Sequence, residues 1–245
     1  NSQSVVTAGQ YSTEEAERAA KTSLPVVIVP PGVDEKRFKP LTPEQRVHAR
    51  SKYELNEADE VILTLSRLVP RKGMDVLIKA CADLQASRPH LKLLIAGTGR
   101  DQRRLESIAR RKKAPVIFLG HVPDADIPNL YGLADLFSML CRVRWGGLEQ
   151  EGFGIVFLEA AAAGIPQLAG KSGGAGEAVL EGRTGKVVSS PKDVASVKEA
   201  ICEILDDETR YEEMKLLSRQ RAETKFSYDN LALQFHDSLL KLNEN

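Results

Sequence analysis

The sequence is poor in aromatic residues and carries no excess of charge of either sign. Phe, Trp and Tyr make up 5% of its 245 residues, and 34 Lys and Arg are balanced by 34 Asp and Glu. Scarce aromatics argue against a surface on which nucleic-acid bases stack, and balanced charge provides no overall field for nucleic acid or anionic lipid. We therefore expect no nucleic-acid partner and, for any phosphate ligand, a local site.

Cysteine, metal-ligand motifs and long apolar runs are also scarce. Cys81, Cys141 and Cys202 lie far apart, and neither they nor the four histidines have a metal-binding spacing. We therefore predict reduced thiols and no metal site. No apolar run approaches the ~18 residues that a membrane span needs, and no signal peptide is recognisable. The hydrophobic content of 42% is nevertheless enough for a sizeable core.

Apolar, strand-like runs alternate with helical segments between residues 60 and 188. The predicted strands are Val61–Ser66, Leu91–Ala96, Val116–Leu119, Asp135–Met139, Gln167–Ala169 and Thr184–Val188, and the helices between them include Met74–Gln85, Asp101–Lys113, Ile127–Leu133 and Ile155–Ala163. Fully apolar strands joined by crossover helices indicate an α/β fold, a Rossmann-like parallel sheet with helices on both faces. Ligands of such sheets bind beyond the C-terminal ends of the strands.

The flanking segments complete the predicted fold. Before the sheet, we predict a short strand at Val5–Ala8, a helix with Ser12 as its N-cap, a strand at Val26–Val29 and a polar helix at Pro43–Tyr53. After the sheet, residues 191–242 have the pattern of a helical C-terminal tail of three helices, broken near Asp206 and Phe226.

The stretch from Arg142 to Glu159 is the strongest candidate for a binding site. It contains two arginines and four glycines around acidic residues, and it leads into the apolar helix Ile155–Ala163. A glycine-rich loop before a helix N-terminus binds anions well, because free backbone N–H groups and the helix dipole both point at the ligand. This stretch predicts an anion site at one edge of the sheet.

A second candidate site follows the first strand of the predicted sheet. Arg67, Arg71 and Lys72 place three cations within six residues near the start of a helix. Cations at a helix N-terminus oppose the helix dipole, so a bound anion would relieve a cost in stability. A diphosphate fits, because Arg binds phosphate bidentately and Lys acts as a point charge. A solvated basic turn is the alternative, but the position at a strand end favours phosphate.

Glu151 and Glu159 are candidate ligands for a sugar. Glu151 precedes the predicted helix Ile155–Ala163, and Glu159 lies inside it. If both lay on one helix, they would be roughly 12 Å apart along its axis, which is long for two carboxylates that flank a scissile glycosidic bond, about 5–9.5 Å apart. The spacing favours two contacts along one extended ligand. Glu159 lies among apolar residues and needs a partner, which could be sugar hydroxyls, a salt bridge or a capping interaction.

Two glycine-rich turns have more than one explanation. Gly97-Thr98-Gly99 lacks the third glycine and the downstream acid of a dinucleotide fingerprint. Its glycines either let the backbone approach a ligand or form a simple turn. Gly173-Gly174-Ala175-Gly176 fits equally a backbone nest for a phosphate or sugar and a tight strand-to-helix connection.

Five segments together resemble a known family. They are Pro31-Gly32-Val33-Asp34 with Phe38, Ser66-Arg67-Leu68 with Lys72-Gly73, Gly97-Thr98-Gly99, Phe118-Leu119-Gly120-His121-Val122, and the Glu-x7-Glu signature from Glu151 to Glu159. They resemble the C-terminal, donor-binding half of retaining GT-B glycosyltransferases of family 4, over residues 25–245. Residues 66–73 and 154–159 are most similar to phosphatidyl-myo-inositol mannosyltransferases and related GDP-mannose-dependent enzymes.

The resemblance implies a role for each site residue. Arg67 and Lys72 would bind the diphosphate and stabilise the leaving group, Glu151 would hold hydroxyls of the transferred sugar, and Glu159 would hold the ribose hydroxyls. The other implied donor contacts are the backbone of Phe153, Gly154, Ile155 and Val156, the turn at Gly97, and a base pocket lined by Val122 and Asp124. The implied reaction is retaining transfer of a hexose, most simply mannose from GDP-mannose, without an obligatory metal or other cofactor.

The resemblance also implies a missing domain. Residues 1–24 would be the last strand and helix of an N-terminal GT-B domain, and residues 25–245 the nucleotide-sugar-binding domain. The missing domain would carry the acceptor site, and the acceptor would be lipid-linked. We expect a cytoplasmic protein, peripheral at the inner membrane face. Because the sequence begins at Asn1 rather than Met, we also expect a fragment of a longer chain.

The sequence leaves two other functions open. The same scaffold would serve a UDP- or ADP-sugar-dependent transferase or a nucleotide-sugar epimerase, and a non-catalytic nucleotide-sugar-binding domain would retain the same fold. Competition among GDP, UDP and ADP separates the donors, and turnover without an acceptor would identify an epimerase.

Overall fold

The computed structural model describes residues 4–243. Its strands are β1 Val5–Thr7, β2 Val26–Ile28, β3 Glu60–Leu65, β4 Leu91–Ala96, β5 Val116–Gly120, β6 Leu136–Met139, β7 Gln167–Gly170 and β8 Gly185–Val188. Its helices are α1 Gln10–Ala20, α2 Pro43–Ser51, α3 Met74–Leu84, α4 Gln102–Lys112, α5 Ile127–Gly132, α6 Ile155–Ala162, α7 Ala175–Ala178, α8 Val194–Leu205, α9 Glu208–Lys225 and α10 Tyr228–Asn243. None of the helices in this range combines the length and the apolar character that a membrane-spanning helix requires.

Six parallel strands form the main sheet, in the order β5-β4-β3-β6-β7-β8. The predicted parallel α/β sheet is therefore confirmed, and so are the three helices after it. The strand order reverses between β3 and β6, which pair at Ile62 and Leu136. In open α/β sheets this reversal opens a crevice at the carboxyl ends of the two strands, so the topology marks the place where a ligand would bind.

Both faces of the sheet are buried. Val61 and Leu63 of β3 belong to one hydrophobic cluster, with Phe157 of α6, while Ile62 belongs to the other cluster, with Leu77 of α3. All five side chains are at most 1% exposed. Because successive strand residues point to opposite faces, only a sheet covered on both sides explains an unbroken apolar strand.

The first two strands lie outside the main sheet. β1 and β2 form a separate two-stranded parallel sheet, in which Val5 pairs with Val26. The domain boundary predicted between residues 24 and 25 falls between these paired strands. Val6 and Ile28 are 53% and 38% exposed, so this small sheet leaves apolar side chains in contact with solvent.

Helix α1 begins at Gln10, so the prediction of Ser12 as its N-cap was wrong. Gly9 is the N-cap, and the Ser12 hydroxyl accepts a hydrogen bond from the Gly9 N–H at 3.0 Å. The N–H groups of Gln10 and Tyr11 donate to the Glu177 carboxylate at 2.8 and 2.7 Å. A distant carboxylate therefore satisfies the first turn, where a local N-cap side chain was expected.

Candidate functional site

The predicted site residues lie at the carboxyl edge of the main sheet. Arg67 follows β3, Gly97 follows β4, Val122 follows β5, and the loop that contains Glu151 follows β6. The crevice between β3 and β6 therefore has cations on one side and the Glu151 loop on the other. Fold topology alone brings these separated segments together.

Glu151 is the centre of a buried ion-pair cluster. Its Oε2 accepts hydrogen bonds from Lys72 Nζ at 2.7 Å, from Arg71 Nη1 at 2.8 Å and from Cys141 Sγ at 3.2 Å. Burial alone would raise the pKa of Glu151, but the charge and hydrogen bond of Lys72, with the hydrogen bonds of Cys141 and Arg71, outweigh it. They hold the pKa of Glu151 below its ordinary value, so the carboxylate is ionised.

The three cations of the predicted phosphate cluster have different surroundings. Lys72 is 8% exposed, and its ammonium also contacts Met139 Sδ at 3.2 Å. Arg71, the one cation of the three to which the resemblance assigned no role, donates a hydrogen bond to Glu151. Arg67 is exposed and makes no ion pair or side-chain hydrogen bond with residues 4–243. Of the three, Arg67 therefore has its donors free for a ligand.

The turn after β7 supports Glu151 from behind. The Gly174 N–H donates to the Glu151 carbonyl at 3.0 Å, and the Glu151 N–H donates to Ser172 Oγ at 3.4 Å. Gly173 has φ +51°, and a Cβ there would overlap the Glu151 carbonyl oxygen. The glycines therefore form a tight connection that fixes the backbone of Glu151.

A similar close approach explains Gly97. Its φ is +117°, and a Cβ there would overlap the carbonyl oxygen of Ser66, the residue before Arg67. The Gly97 N–H donates to the Gly120 carbonyl at 2.7 Å, which joins the ends of β4 and β5. Gly97 thus lets the turns after three neighbouring strands pack closely beneath the crevice.

Helix α6 presents its N-terminus at the same edge. It begins at Ile155, and Gly154 at the N-cap provides no side-chain hydrogen bond. The first N–H groups of an α-helix have no partner within the helix, so those of Ile155 and Val156 can bind an anion. The Phe153 side chain is 6% exposed and packs against the Phe226 ring, with centroids 5.9 Å apart. Phe153 thus offers only its backbone.

Glu159 occupies the second turn of α6 and has a neutral partner. Its Oε2 accepts a hydrogen bond from the Tyr131 hydroxyl at 2.7 Å, and among the described residues no other side chain donates to the carboxylate. Burial raises the pKa of Glu159, and the Tyr131 hydrogen bond and the charge of Arg37 only partly oppose that effect. No motif in the sequence identifies the buried tyrosine of α5 as this partner.

Of the two residues predicted to line a base pocket, Asp124 lies close enough to Glu159 for its charge to raise the pKa of that carboxyl. Asp124 forms an ion pair with Arg37 at 2.8 Å, and the Arg37 guanidinium lies 4.9 Å from the centre of the Phe38 ring. Val122 is partly buried against the core. Arg37 is a residue that motif reasoning missed, because it belongs to a segment far from Asp124 in sequence.

Ion pairs also anchor the loop between β6 and Glu151. Arg142 lies 3.0 Å from Asp75 in the first turn of α3, and Arg144 lies 3.0 Å from Glu149 within the loop. Trp145, between them, is 62% exposed. In the part of the chain that the structure describes, no group of three His, Cys, Asp or Glu side chains is arranged to hold a metal ion.

Comparisons with known proteins identify relatives of this chain. Residues 45–221 match the family model described as "Glycosyl transferases group 1". The chain is 44% identical over 201 residues to a GDP-mannose-dependent monoacylated alpha-(1-6)-phosphatidylinositol monomannoside mannosyltransferase of Corynebacterium glutamicum, a match that covers 82% of this chain and 52% of the relative. It is 40% identical over 225 residues to a GDP-mannose-dependent alpha-(1-6)-phosphatidylinositol monomannoside mannosyltransferase of Mycolicibacterium smegmatis, over 91% of this chain and 58% of that relative.

Solved structures extend the likeness to the fold. HepE of Anabaena, crystallised with UDP and glucose, superposes with a TM-score of 0.83 at 24% sequence identity, over 98% of this chain and 64% of that one. A glycosyltransferase of Rickettsia africae superposes with a TM-score of 0.81 at 25% identity, over 98% of this chain and 63% of that one. The chain thus spans about half the length of its sequence relatives and under two thirds of these structures.

Proposed function

The chain belongs to the glycosyl transferases group 1 family, and from that membership we propose that it is the donor-binding half of a retaining hexosyltransferase that takes mannose from GDP-mannose. The names of the relatives at 44% and 40% identity support both the sugar and the nucleotide. The arrangement of charge at the crevice supports the class of reaction.

The observation that carries the proposal is the pairing of cations with a carboxylate at the β3–β6 crevice. When the bond from the sugar to a nucleoside diphosphate breaks, negative charge develops on the departing phosphate. Arg67, Lys72 and the N-terminus of α6 place positive charge and N–H donors at that edge of the sheet. Such preorganised donors stabilise a leaving group without metal coordination.

The two glutamates divide the rest of the donor between them. Glu151 lies beside the cations and binds hydroxyls of the transferred mannose. Glu159 lies in the second turn of α6 and binds the ribose. Because Glu151 precedes the helix and Glu159 lies within it, the two do not stand on one helical face. Glu151 is held in a cluster of charged groups and Glu159 by a tyrosine hydroxyl, which fits two separate contacts better than an acid/base pair.

The acceptor and the cellular location form the second part of the proposal. We infer that residues 1–24 are the end of an N-terminal GT-B domain that carries the acceptor site. The names of the relatives support a phosphatidylinositol mannoside as the acceptor. Such a lipid would place the protein in the cytoplasm, peripheral at the inner membrane face.

Nucleotide titration of the 245-residue chain tests the donor assignment. Calorimetry with GDP, UDP and ADP should give saturable binding with GDP the tightest, and GDP-mannose should compete for the same site. Tighter binding of UDP or ADP would replace GDP-mannose with another donor. Absence of binding by all three would contradict a donor-binding domain.

Transfer requires the longer protein with its acceptor domain. Incubated with GDP-mannose and phosphatidylinositol mannoside, it should form an α-linked product, since the mannose of GDP-mannose is α-linked and the proposed transfer retains configuration. Nucleotide binding without transfer to the lipid or hydrolysis of the donor would favour a non-catalytic domain. Conversion of the donor without an acceptor would favour an epimerase.

A further inference from the structure

Tyr131 stands behind Glu159 in a column of buried aromatic rings. Its side chain is 0% exposed, and its ring meets Phe38 edge-on at 5.8 Å and Phe137 at 5.5 Å. Phe137 in turn meets Phe157, in the first turn of α6, at 5.5 Å. The column fixes the ring on both sides, so the position of the Tyr131 hydroxyl is set by the core of the domain.

From this arrangement we propose that Tyr131 is a positioning residue for donor binding. Its hydroxyl donates a hydrogen bond to Glu159 Oε2 and thereby orients the carboxylate, so that Oε1 accepts hydrogen bonds from the ribose. This inference rests on the proposed function and names the residue through which the core shapes that contact. A carboxylate has about four lone-pair sites, and among the described side chains only Tyr131 donates to Glu159, at 2.7 Å.

The alternative cation does not take over this role. The charge of Arg37 lowers the pKa of Glu159, but the Arg37 guanidinium donates to the Asp124 carboxylate and to the Asp124 carbonyl, each at 2.8 Å. Glu159 therefore keeps unmet acceptor capacity in a largely buried place. A ligand hydroxyl that met this capacity would gain more than it would at an exposed carboxylate.

The charged and titratable groups around Glu159 fix the expected pH dependence. Tyr131 faces it from α5, Arg37 from the segment after β2, and Asp124 from the turn before α5. Burial raises the pKa of Glu159, and the Tyr131 hydrogen bond is the first of the effects that lower it. Removal of the hydroxyl therefore raises that pKa further. The loss of nucleotide affinity on acidification should then begin at a higher pH.

Tyr211 provides a matched control for the loss of a buried tyrosine hydroxyl. Its hydroxyl donates to the backbone carbonyl of Asp135 at 2.9 Å. Asp135 precedes β6, so this hydrogen bond lies at the amino edge of the sheet, opposite the crevice. Tyr211→Phe should therefore resemble Tyr131→Phe in its effect on stability and differ from it in its effect on ligand binding.

The test compares GDP with 2′,3′-dideoxy-GDP on the 245-residue chain by calorimetry. In the parent chain, loss of both ribose hydroxyls should weaken binding about tenfold or more. In Tyr131→Phe, GDP should bind about three- to tenfold more weakly, and the dideoxy penalty should shrink to about threefold or less. Tyr211→Phe should have the same GDP affinity and the same dideoxy penalty as the parent chain.

Each departure from this pattern has its own meaning. If GDP binds the parent chain and Tyr131→Phe leaves the dideoxy penalty unchanged, the positioning role is wrong while the proposed function stands. The same conclusion follows if Tyr211→Phe weakens GDP equally, or if the acid limit of binding does not move. If no nucleotide binds the parent chain, the proposed function fails and the inference fails with it.

Discussion

Lys72 Nζ lies 2.7 Å from Glu151 Oε2, so the residue assigned to the diphosphate and the residue assigned to the sugar neutralise each other. Their side chains are only 9% and 11% exposed. A donor that contacts both would share these groups with the ion pair. Its phosphate would share the Lys72 ammonium with Glu151, and a sugar hydroxyl would share the Glu151 carboxylate with Lys72.

Replacement of Glu151 by Gln should therefore affect the binding of the nucleotide and the binding of the sugar differently. Without the carboxylate, Lys72 and Arg71 are released toward phosphate, so Glu151→Gln should bind GDP at least as tightly as the parent chain. The sugar contact is weakened, so any advantage of GDP-mannose over GDP should fall by about tenfold. Calorimetry with both ligands measures the two effects. An equal loss of affinity for both would contradict the division.

Arg67 should contribute to the affinity for GDP but not to the stability of the folded chain. It is exposed and unpaired among residues 4–243, so Arg67→Ala should weaken GDP at least tenfold, roughly 1.4 kcal/mol, with an unchanged unfolding midpoint. Lys72→Ala should weaken GDP by a similar factor, but it also leaves Glu151 buried with Arg71 as its one cation. We expect it to lose roughly 1–3 kcal/mol of folding free energy.

The control for Arg67 is an exposed arginine elsewhere. Arg111 lies near the C-terminus of α4 and forms no ion pair with the described residues, so Arg111→Ala should leave GDP affinity unchanged. If Arg111→Ala and Arg67→Ala lost GDP affinity equally, the change in overall charge would explain the effect. If Arg67→Ala bound GDP as tightly as the parent chain, the assignment of Arg67 to the diphosphate site would be wrong.

Alanine substitutions at two glycines with positive φ should distinguish the cost of backbone strain from the loss of support for the Glu151 backbone. Gly146 has φ +63° and open space around a Cβ, whereas a Cβ at Gly173 would overlap the Glu151 carbonyl. Gly146→Ala should cost about 1 kcal/mol of stability. Gly173→Ala should cost more and also reduce the preference for GDP-mannose over GDP. Equal unfolding midpoints and equal ligand preferences would contradict the supporting role of this turn.

Glu177 should stabilise α1 from a distance. Glu177→Ala removes the acceptor of two N–H groups at the start of that helix, and loss of a helix cap costs about 1 kcal/mol. Denaturant unfolding measures the change. Glu199 is exposed and forms no side-chain hydrogen bond or ion pair with the described residues, so Glu199→Ala serves as the control. A Glu177→Ala variant as stable as this control would show that the contact contributes nothing.

Glu159→Gln should bind more weakly and yet be more stable. Because burial raises the pKa of Glu159, ionisation of this residue disfavours the folded state at neutral pH. That penalty is present above the raised pKa and disappears as the pH falls below the ordinary value of 4.5. The variant should therefore exceed the parent in unfolding free energy at pH 7 and match it near pH 4. Its affinity for GDP should fall about tenfold. Lower stability at pH 7 would contradict this account.

The sheet was predictable from the sequence because its information is local. Unbroken apolar runs such as Leu91–Ala96 need cover on both faces, and the crossover helices α3 and α4 are amphipathic. The crevice followed from the topology. The start of α1 was not predictable, because the acceptor for its first N–H groups lies 167 and 166 residues away.

The site was predictable in its residue types and less so in its pairings. The Glu-x7-Glu signature placed Glu151 before α6 and Glu159 within it, and both positions are confirmed. The partners of these two residues came from other strands and helices: Lys72 with Arg71 for Glu151, and Tyr131 for Glu159. In sequence, Tyr131 has only the pattern of a core residue of a short helix, and no periodicity marks a hydroxyl that faces a carboxylate.

The hydrogen bonds from α1 to Glu177 also bear on the order of folding. They close a loop of more than 160 residues, and the entropy lost on closing a loop grows with its length. The local pairing of β3 with β4 closes a far shorter loop. During synthesis α1 leaves the ribosome before the main sheet exists, so its first turn waits for Glu177. Helix α1, the first of the described helices, is thus among the last to complete its hydrogen bonds.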